Sequence, residues 1–249
     1  MPSDPAKPTA QSATNTRHPA PLRILSGGAA NGLVSRVKDA FEAENGQQLA
    51  GDYGAVGVMR DRIVADEPVD LVILTRALIE ELAESGHVDR SSIRDLGKVV
   101  TGIAVIHGEP IPAVSTTDAL RQVLLQAQAL YVPDTVQSTA GRHVAKVLDA
   151  LGLTETFKTR LREYPNGQTA MAAMVRDGAT ASIGCTQITE ILNTQGVDYA
   201  GDLPAEHSLS TTYTAAISTK AASAPTALAL IDMLTAPQTA DDRRDSGFS

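Results

Sequence analysis

Two short stretches of small and hydroxyl residues carry the residue types and spacing that suit chemistry. Ser26-Gly27-Gly28-Ala29 precedes a segment in which Leu33, Val34, Val37, Ala40 and Phe41 fall on one helical face. Ser138-Thr139-Ala140-Gly141 precedes another, with Val144, Val147, Leu148 and Leu151 at the same spacing. A helix start presents unpaired N–H groups and a partial positive charge. Glycine lets a ligand approach the backbone closely, and Ser or Thr adds a hydroxyl donor. The chemistry on offer is capture of an anion. Either turn alone is more simply explained by ordinary helix capping. Its recurrence in both halves of the chain favours the anion site. Neither turn is a nucleotide loop, because there is no G-x-x-x-x-G-K-[ST] and SGGAANG lacks the G-x-G-x-x-G spacing.

Other side chains adjoin these turns. Arg76 and Arg142 are suited to pairing with a carboxylate or oxyanion, and equally to surface ion pairs. Arg142 falls in the first turn of its helix, where a cation is mildly unfavourable, so its position asks for a reason. Gln187, after a short apolar strand, is either an amide donor to a ligand or a solvated loop residue. Tyr53 and His143 are types that transfer protons, but no residue identifies a base. The five histidines (His18, His87, His107, His143 and His207) show no metal-ligand spacing. There is no G-x-S-x-G elbow. The lone Cys185 excludes an intrachain disulfide and a cysteine metal cluster, and reads as a small buried hydrophobe rather than a nucleophile. Glu80, Glu81 and Glu84 read as a solvated helix face. No metal and no cofactor are expected.

The elements that must position these residues alternate in type. Leu22–Leu25, Leu71–Leu74, Val99–Ile106, Ala129–Val132, Thr180–Ile183 and Thr212–Ile217 read as strands, with helix-period segments between them. Gly51 to Gly57 (GDYGAVG) reads as a turn. The alternation predicts an α/β fold with mostly parallel sheets. Ligands bind such sheets at the carboxyl ends of strands. Those ends are Ser26–Ala29, Tyr53–Gly57, Thr75-Arg76, Ser138–Gly141 and Cys185–Gln187, which places the site in a cleft between two halves.

Composition bounds the rest. The 249 residues are 43% hydrophobic and 20% charged, enough apolar material for a sizeable core. Aromatics are 3% with no Trp, so the core is aliphatic and base stacking is not expected. A net charge of −8 argues against nucleic acid as a partner, though not against a small anion in a local site. No run approaches the ~18 apolar residues of a membrane span. Residues 1–21, rich in Pro, Ala, Ser and Thr, read as a flexible leader without the apolar region of a secretory signal. The expected location is periplasmic if a signal has been removed, and cytoplasmic if the chain is native from Met1.

Several segments together resemble the periplasmic molybdate-binding protein family, a branch of the class II substrate-binding proteins. They run in order from LRILSGGA through YGAVGVMRDRI, VDLVILT, VVTGIAVIHGEP, STTDALRQVLL, GRHVAKVLDALGL and MVRDGATASIG to ALIDMLTAPQTADDRRDSGF. The resemblance implies two Rossmann-like α/β lobes, 22–100 plus 205–249 and 101–204, joined by crossover strands and closing on a ligand by hinge motion. It also implies an ABC transporter permease as partner. The family's ligand contacts carry over to Ser26, Ala55 and Ser138, with Gln168 and Gln187 at later positions. With Gly27, Gly28, Val56, Thr139, Arg76 and Arg142 these form the candidate ligand set. Two departures stand out: Ala55 where the family usually has serine, and Gln187 where it often has tyrosine. Loss of two hydroxyls with arginines nearby suits a planar carboxylate better than a tetrahedral oxyanion. Aconitate isomerase is similar to the same family, and moves a double bond in a tricarboxylic acid by a proton shift. Such an enzyme needs only an acid–base group and cationic clamps, without a cofactor.

Overall fold

The structure, a computed structural model, describes residues 19–249. Most of the expected leader, and His18, lie outside the described residues. Among the described residues, strands β1 to β9 and helices α1 to α10 follow one another, mostly in alternation. The first part runs β1 (Leu22–Gly27), α1 (Asn31–Asn45), β2 (Leu49–Gly54), α2 (Val56–Val64), β3 (Leu71–Thr75) and α3 (Arg76–Glu84). A long β4 (Arg94–Ile106) then leads to α4 (Thr117–Gln126), β5 (Ala129–Pro133), α5 (Thr139–Ala150) and α6 (Thr154–Phe157). Next come β6 (Leu161–Tyr164), α7 (Gly167–Asp177), β7 (Ser182–Gln187), α8 (Ile188–Leu192) and β8 (Val197–Asp202). The chain closes with β9 (Ser210–Ile217), α9 (Ala224–Thr235) and α10 (Ala240–Asp245).

The strands lie in the order β2-β1-β3-β9-β4-β7-β5-β6, with β8 also on β4. β4 belongs to both halves of this sheet. Arg94–Val100 pairs with β9, while Thr101–Ala104 pairs with β7 and Gly102–Ile106 with β8. The first half is thus β2, β1, β3 and β9, and the second is β7, β5, β6 and β8. The expectation of mostly parallel pairing is corrected here. β1 with β2 and β3, and β5 with β6 and β7, are parallel, but every pairing made by β4 or β9 is antiparallel. A chain that leaves one half for the other must come back, so its outgoing and returning strands run in opposite directions.

Gly51 to Gly57 also departs from expectation. Its first residues extend β2 as far as Gly54, in parallel register with β1, so that Tyr53 lies opposite Ser26. Of this edge strand only Leu49 is buried. Without apolar alternation, the sequence offered no strand signal there.

The core is aliphatic, as the scarcity of aromatics requires. In the first half the strand Leu71–Leu74 is 0% exposed throughout and packs with Leu33, Phe41, Ile79 and Leu230 from helices on either side. Strands covered on both faces read as continuous apolar runs. In the second half, Leu130 and Val132 face Val144 and Leu148 of α5, and Tyr131 faces Met171 and Met174 of α7. The period-2 alternation of β5 therefore fixes which helix lies on which side.

Candidate functional site

Where the carboxyl ends of strands meet across the two halves, small residues allow close approach. Ser26 is buried at the end of β1, and its Oγ donates to Gly27 O at 2.9 Å. A Cβ on Gly27 would lie 2.8 Å from Val56 Cγ1 and 2.9 Å from Tyr213 Cε1, too close for any side chain. A Cβ on Gly28 would collide with Glu190 Oε1, so the turn after β1 touches a carboxyl from the opposite half.

That carboxyl is held at both oxygens. α8 follows β7 without a loop and carries Glu190 on its first turn. Gly167 N–H donates to Oε1 at 3.0 Å, and Thr186 Oγ1 donates to Oε2 at 2.6 Å. Gly167 must be glycine here, because a Cβ would strike both Thr186 and Glu190. Glu190 is 5% exposed. Burial pushes its pKa above the usual carboxylate range; the Thr186 hydroxyl and the Gly167 and Gln168 amides act in the opposite sense.

Beside it, Gln187 ends β7 at 3% exposure. Its Oε1 accepts from Tyr213 Oη, on β9 of the first half, at 2.7 Å. Its Nε2 is buried with no hydrogen-bond partner among the described residues. An unmade buried donor costs about 1–3 kcal/mol, so this amide is suited to an acceptor brought by a ligand. Tyr213 packs edge-on against Phe248, with ring centroids 6.4 Å apart. Burial raises its phenol pKa and the Glu190 charge raises it further; Gln187 and the Arg142 charge oppose them. Glu190, Tyr213 and Arg142 thus share one electrostatic neighbourhood.

Two more hydrogen bonds join the halves. Gly57 N–H donates to Gln137 O at 3.2 Å, and Asn31 Nδ2 donates to Gln168 Oε1 at 2.7 Å. A cavity of about 440 Å³ opens alongside them. Tyr53, Gly54 and Ala55 line one wall, and Asp134, Glu163 and Asn166 the other. This falls within the usual range for small-ligand sites. Asn166 Cβ would lie 3.6 Å from a Cβ on Gly28, so the inner end of the cavity abuts the Gly28–Glu190 contact. Burial pushes the Tyr53 phenol up to about 12, keeping it a neutral donor at ordinary pH.

The structure brings Ser26, Gly27, Gly28, Ala55, Val56, Gln168 and Gln187 to the boundary between the halves. Ser138 stands at the start of α5, where its Oγ accepts from Gly141 N–H at 3.3 Å, the capping role open to it from the sequence. Thr139 is half-buried as the first residue of that helix. Arg142 is exposed, and its Nη1 donates to Val136 O at 2.9 Å. Arg76 is 46% exposed and ion-paired to Asp95 at 2.8 Å and Glu80 at 2.7 Å, carboxylates of its own half. His143 Nε2 donates to His207 O at 2.7 Å, between α5 and the segment that leads into β9. Cys185 is buried, and burial pushes its thiol up to about 12, far from a reactive thiolate. Among the described residues, no group of three His, Cys, Asp or Glu could hold a metal ion, and no helix is long and apolar enough to cross a membrane.

Sequence reasoning missed Glu190, Thr186, Asn166 and Tyr213. The i,i+4 spacing of Thr186 and Glu190 around a strand end, and the capping-box pattern of Asn166 with Thr169, were the available signals.

Comparison with known proteins fits this architecture. Aconitate isomerase from Pseudomonas sp. is 30% identical over 235 residues, covering 91% of this chain and 87% of that protein. The periplasmic molybdate-binding protein of Azotobacter vinelandii superposes with a TM-score of 0.74 at 16% identity, covering 92% of this chain and 98% of that one. The sulfate-binding protein SubI of Mycobacterium tuberculosis gives a TM-score of 0.69 at 18% identity, covering 92% and 86%. At such identities these two structures speak for the fold alone. The bacterial extracellular solute-binding protein family matches residues 22–249, and this chain belongs to that family.

Proposed function

We propose that this chain takes a small polycarboxylate into the cleft between its halves and moves a double bond in it by an allylic proton shift, as an aconitate isomerase-type enzyme. The observation that carries this reading is the buried Gln187 amide, whose Nε2 has no hydrogen-bond partner among the described residues while Tyr213 holds its oxygen. A donor of this kind suits a carboxylate oxygen. The Gly27 turn packs against Tyr213, which holds that amide, and the Arg142 charge acts on the same phenol. The 30% identity to an aconitate isomerase, nearly end to end, supports turnover of the bound acid. In this reading residues 22–100 with 205–249, and residues 101–204, are two lobes that close by hinge motion about β4.

Membership of the solute-binding family favours a second reading, a periplasmic receptor that delivers a small anion to an ABC transporter permease. One pair of measurements separates the two. A thermal-shift screen should include di- and tricarboxylates, molybdate, tungstate, sulfate and phosphate. A ligand at 100 times its Kd stabilises the fold by about 2.7 kcal/mol. Ultraviolet absorbance then follows cis- and trans-aconitate. The enzyme reading expects stabilisation by tricarboxylates and interconversion of the two isomers. Stabilisation without interconversion leaves the receptor, and a response to tetrahedral oxyanions alone overturns the carboxylate site.

A further inference from the structure

We infer that Glu190 is the residue that moves the proton, with Thr186 and the Gly167 amide as its positioning groups; this rests on the enzyme reading above. The argument begins from its setting. Glu190 is buried between the halves, and its partners are a hydroxyl and backbone N–H groups with no cation among them. A carboxyl without a cationic partner beside an anion site is a poor choice for a passive receptor, because its charge repels the ligand and burial penalises it. The same setting makes a carboxylate more basic than one in water, as carbon-acid chemistry requires.

The other acids that line the cleft serve the loop before α5 and are less buried than Glu190. Asp134 Oδ1 accepts from the Val136 and Gln137 N–H groups at 2.7 Å, and Glu163 Oε2 accepts from Thr135 N and Oγ1 at 3.0 and 2.8 Å. They hold the loop before α5. The Tyr53 and Tyr213 phenols are kept protonated by burial and serve as donors, not bases. His143 is spent on the His207 backbone carbonyl.

In the step itself, the Glu190 carboxylate takes a proton from the methylene carbon of the bound acid. The C–H electron pair becomes the new double bond, and the old double-bond pair moves to the far allylic carbon. The Glu190 carboxyl delivers its proton to that carbon and is a carboxylate again; in D2O the carboxyl proton exchanges with solvent between the two transfers. Atoms and charge balance, and nothing is oxidised or reduced.

The test compares the parent with Glu190→Gln, Thr186→Val and Thr186→Ser. Tricarballylate, the saturated tricarboxylate, reports binding; absorbance reports turnover; proton NMR in D2O reports exchange at the methylene carbon. Glu190→Gln should bind tricarballylate within about threefold of the parent while kcat falls ~10²–10⁴-fold and exchange stops, the range for loss of a general acid–base group. Thr186→Val should lower kcat with KM little changed, and Thr186→Ser should restore it. A Glu190→Gln variant that binds normally and keeps kcat within about threefold overturns the assignment and leaves the enzyme reading intact. A parent that binds tricarballylate but neither interconverts nor exchanges aconitate overturns the enzyme reading, and this assignment with it.

Discussion

Glu190 has a consequence for stability that is independent of turnover. Its pKa is raised in the folded state by burial, so between the ordinary glutamate value and that raised value the native state binds more protons than the unfolded state. Stability from this group is therefore full below the ordinary value and is lost as pH rises through the folded one. Glu190→Gln keeps the shape, with Oε1 still able to accept from Gly167 and Nε2 able to donate to Thr186. The variant should melt higher than the parent at pH 8, and the gap should close toward pH 4. Calorimetry across that range checks it; a variant that melts lower at pH 8 would count against a buried, uncompensated carboxyl. The sequence revealed the partner surface at this scale but not the acid. Gly27 and Gly28 announce close approach by their type alone. Thr189–Leu192 reads as the start of a helix, as found, but the burial of Glu190 depends on Gly28 and Gly167 arriving from distant parts of the chain.

At the scale of elements, α5 divides two roles that its sequence left open. Ser138 caps the helix, so Ser138→Ala should cost about 1 kcal/mol of stability, read from urea unfolding. Arg142, one turn on, reaches Tyr213 electrostatically from the same helix. Arg142→Ala should weaken tricarboxylate binding about tenfold, the loss of one charged hydrogen bond, and more so at low salt. Arg76→Ala is the contrasting case. Its guanidinium is occupied by Asp95 and Glu80, so titration calorimetry should find affinity little changed. Equal losses in both arginine variants would mean that Arg76 abandons those partners for the ligand. Strands were legible where they are central. Leu71–Leu74 and Ala129–Val132 are covered on both faces and read as unbroken apolar runs. The start of β4 (Arg94-Asp95-Leu96-Gly97-Lys98) is half-exposed, with a register shift between Asp95 and Gly97, and gives no comparable pattern.

For the whole molecule, everything turns on β4. One strand carries the pairing of both halves, and Thr101 sits where the partners change: its N–H donates to Leu209 O at 3.2 Å, and its carbonyl accepts from Leu203 N–H at 3.3 Å. In the proposed two-lobe reading, rotation about this crossing would separate the halves and leave the pairing within each intact. The bonds that would part are those across the cleft, Asn31 to Gln168, Gly57 to Gln137 and Tyr213 to Gln187. None of the three buries a charge, and each is worth on the order of 1 kcal/mol net, so a ligand with several charged contacts outweighs them. Closure should therefore depend on ligand, and the Asn31–Gln168 pair, only part-buried, should tune it. Asn31→Ala removes that bond without touching the cleft floor. Small-angle scattering should show a larger radius of gyration for Asn31→Ala than for the parent when both are ligand-free, with the difference vanishing under saturating tricarballylate. The same variant should release tricarballylate several-fold faster, while Glu190-dependent turnover of bound aconitate persists. A ligand-free radius identical in both proteins, unchanged by ligand, would mean that the halves do not move about β4 and that the cleft admits its solute by side-chain motion alone.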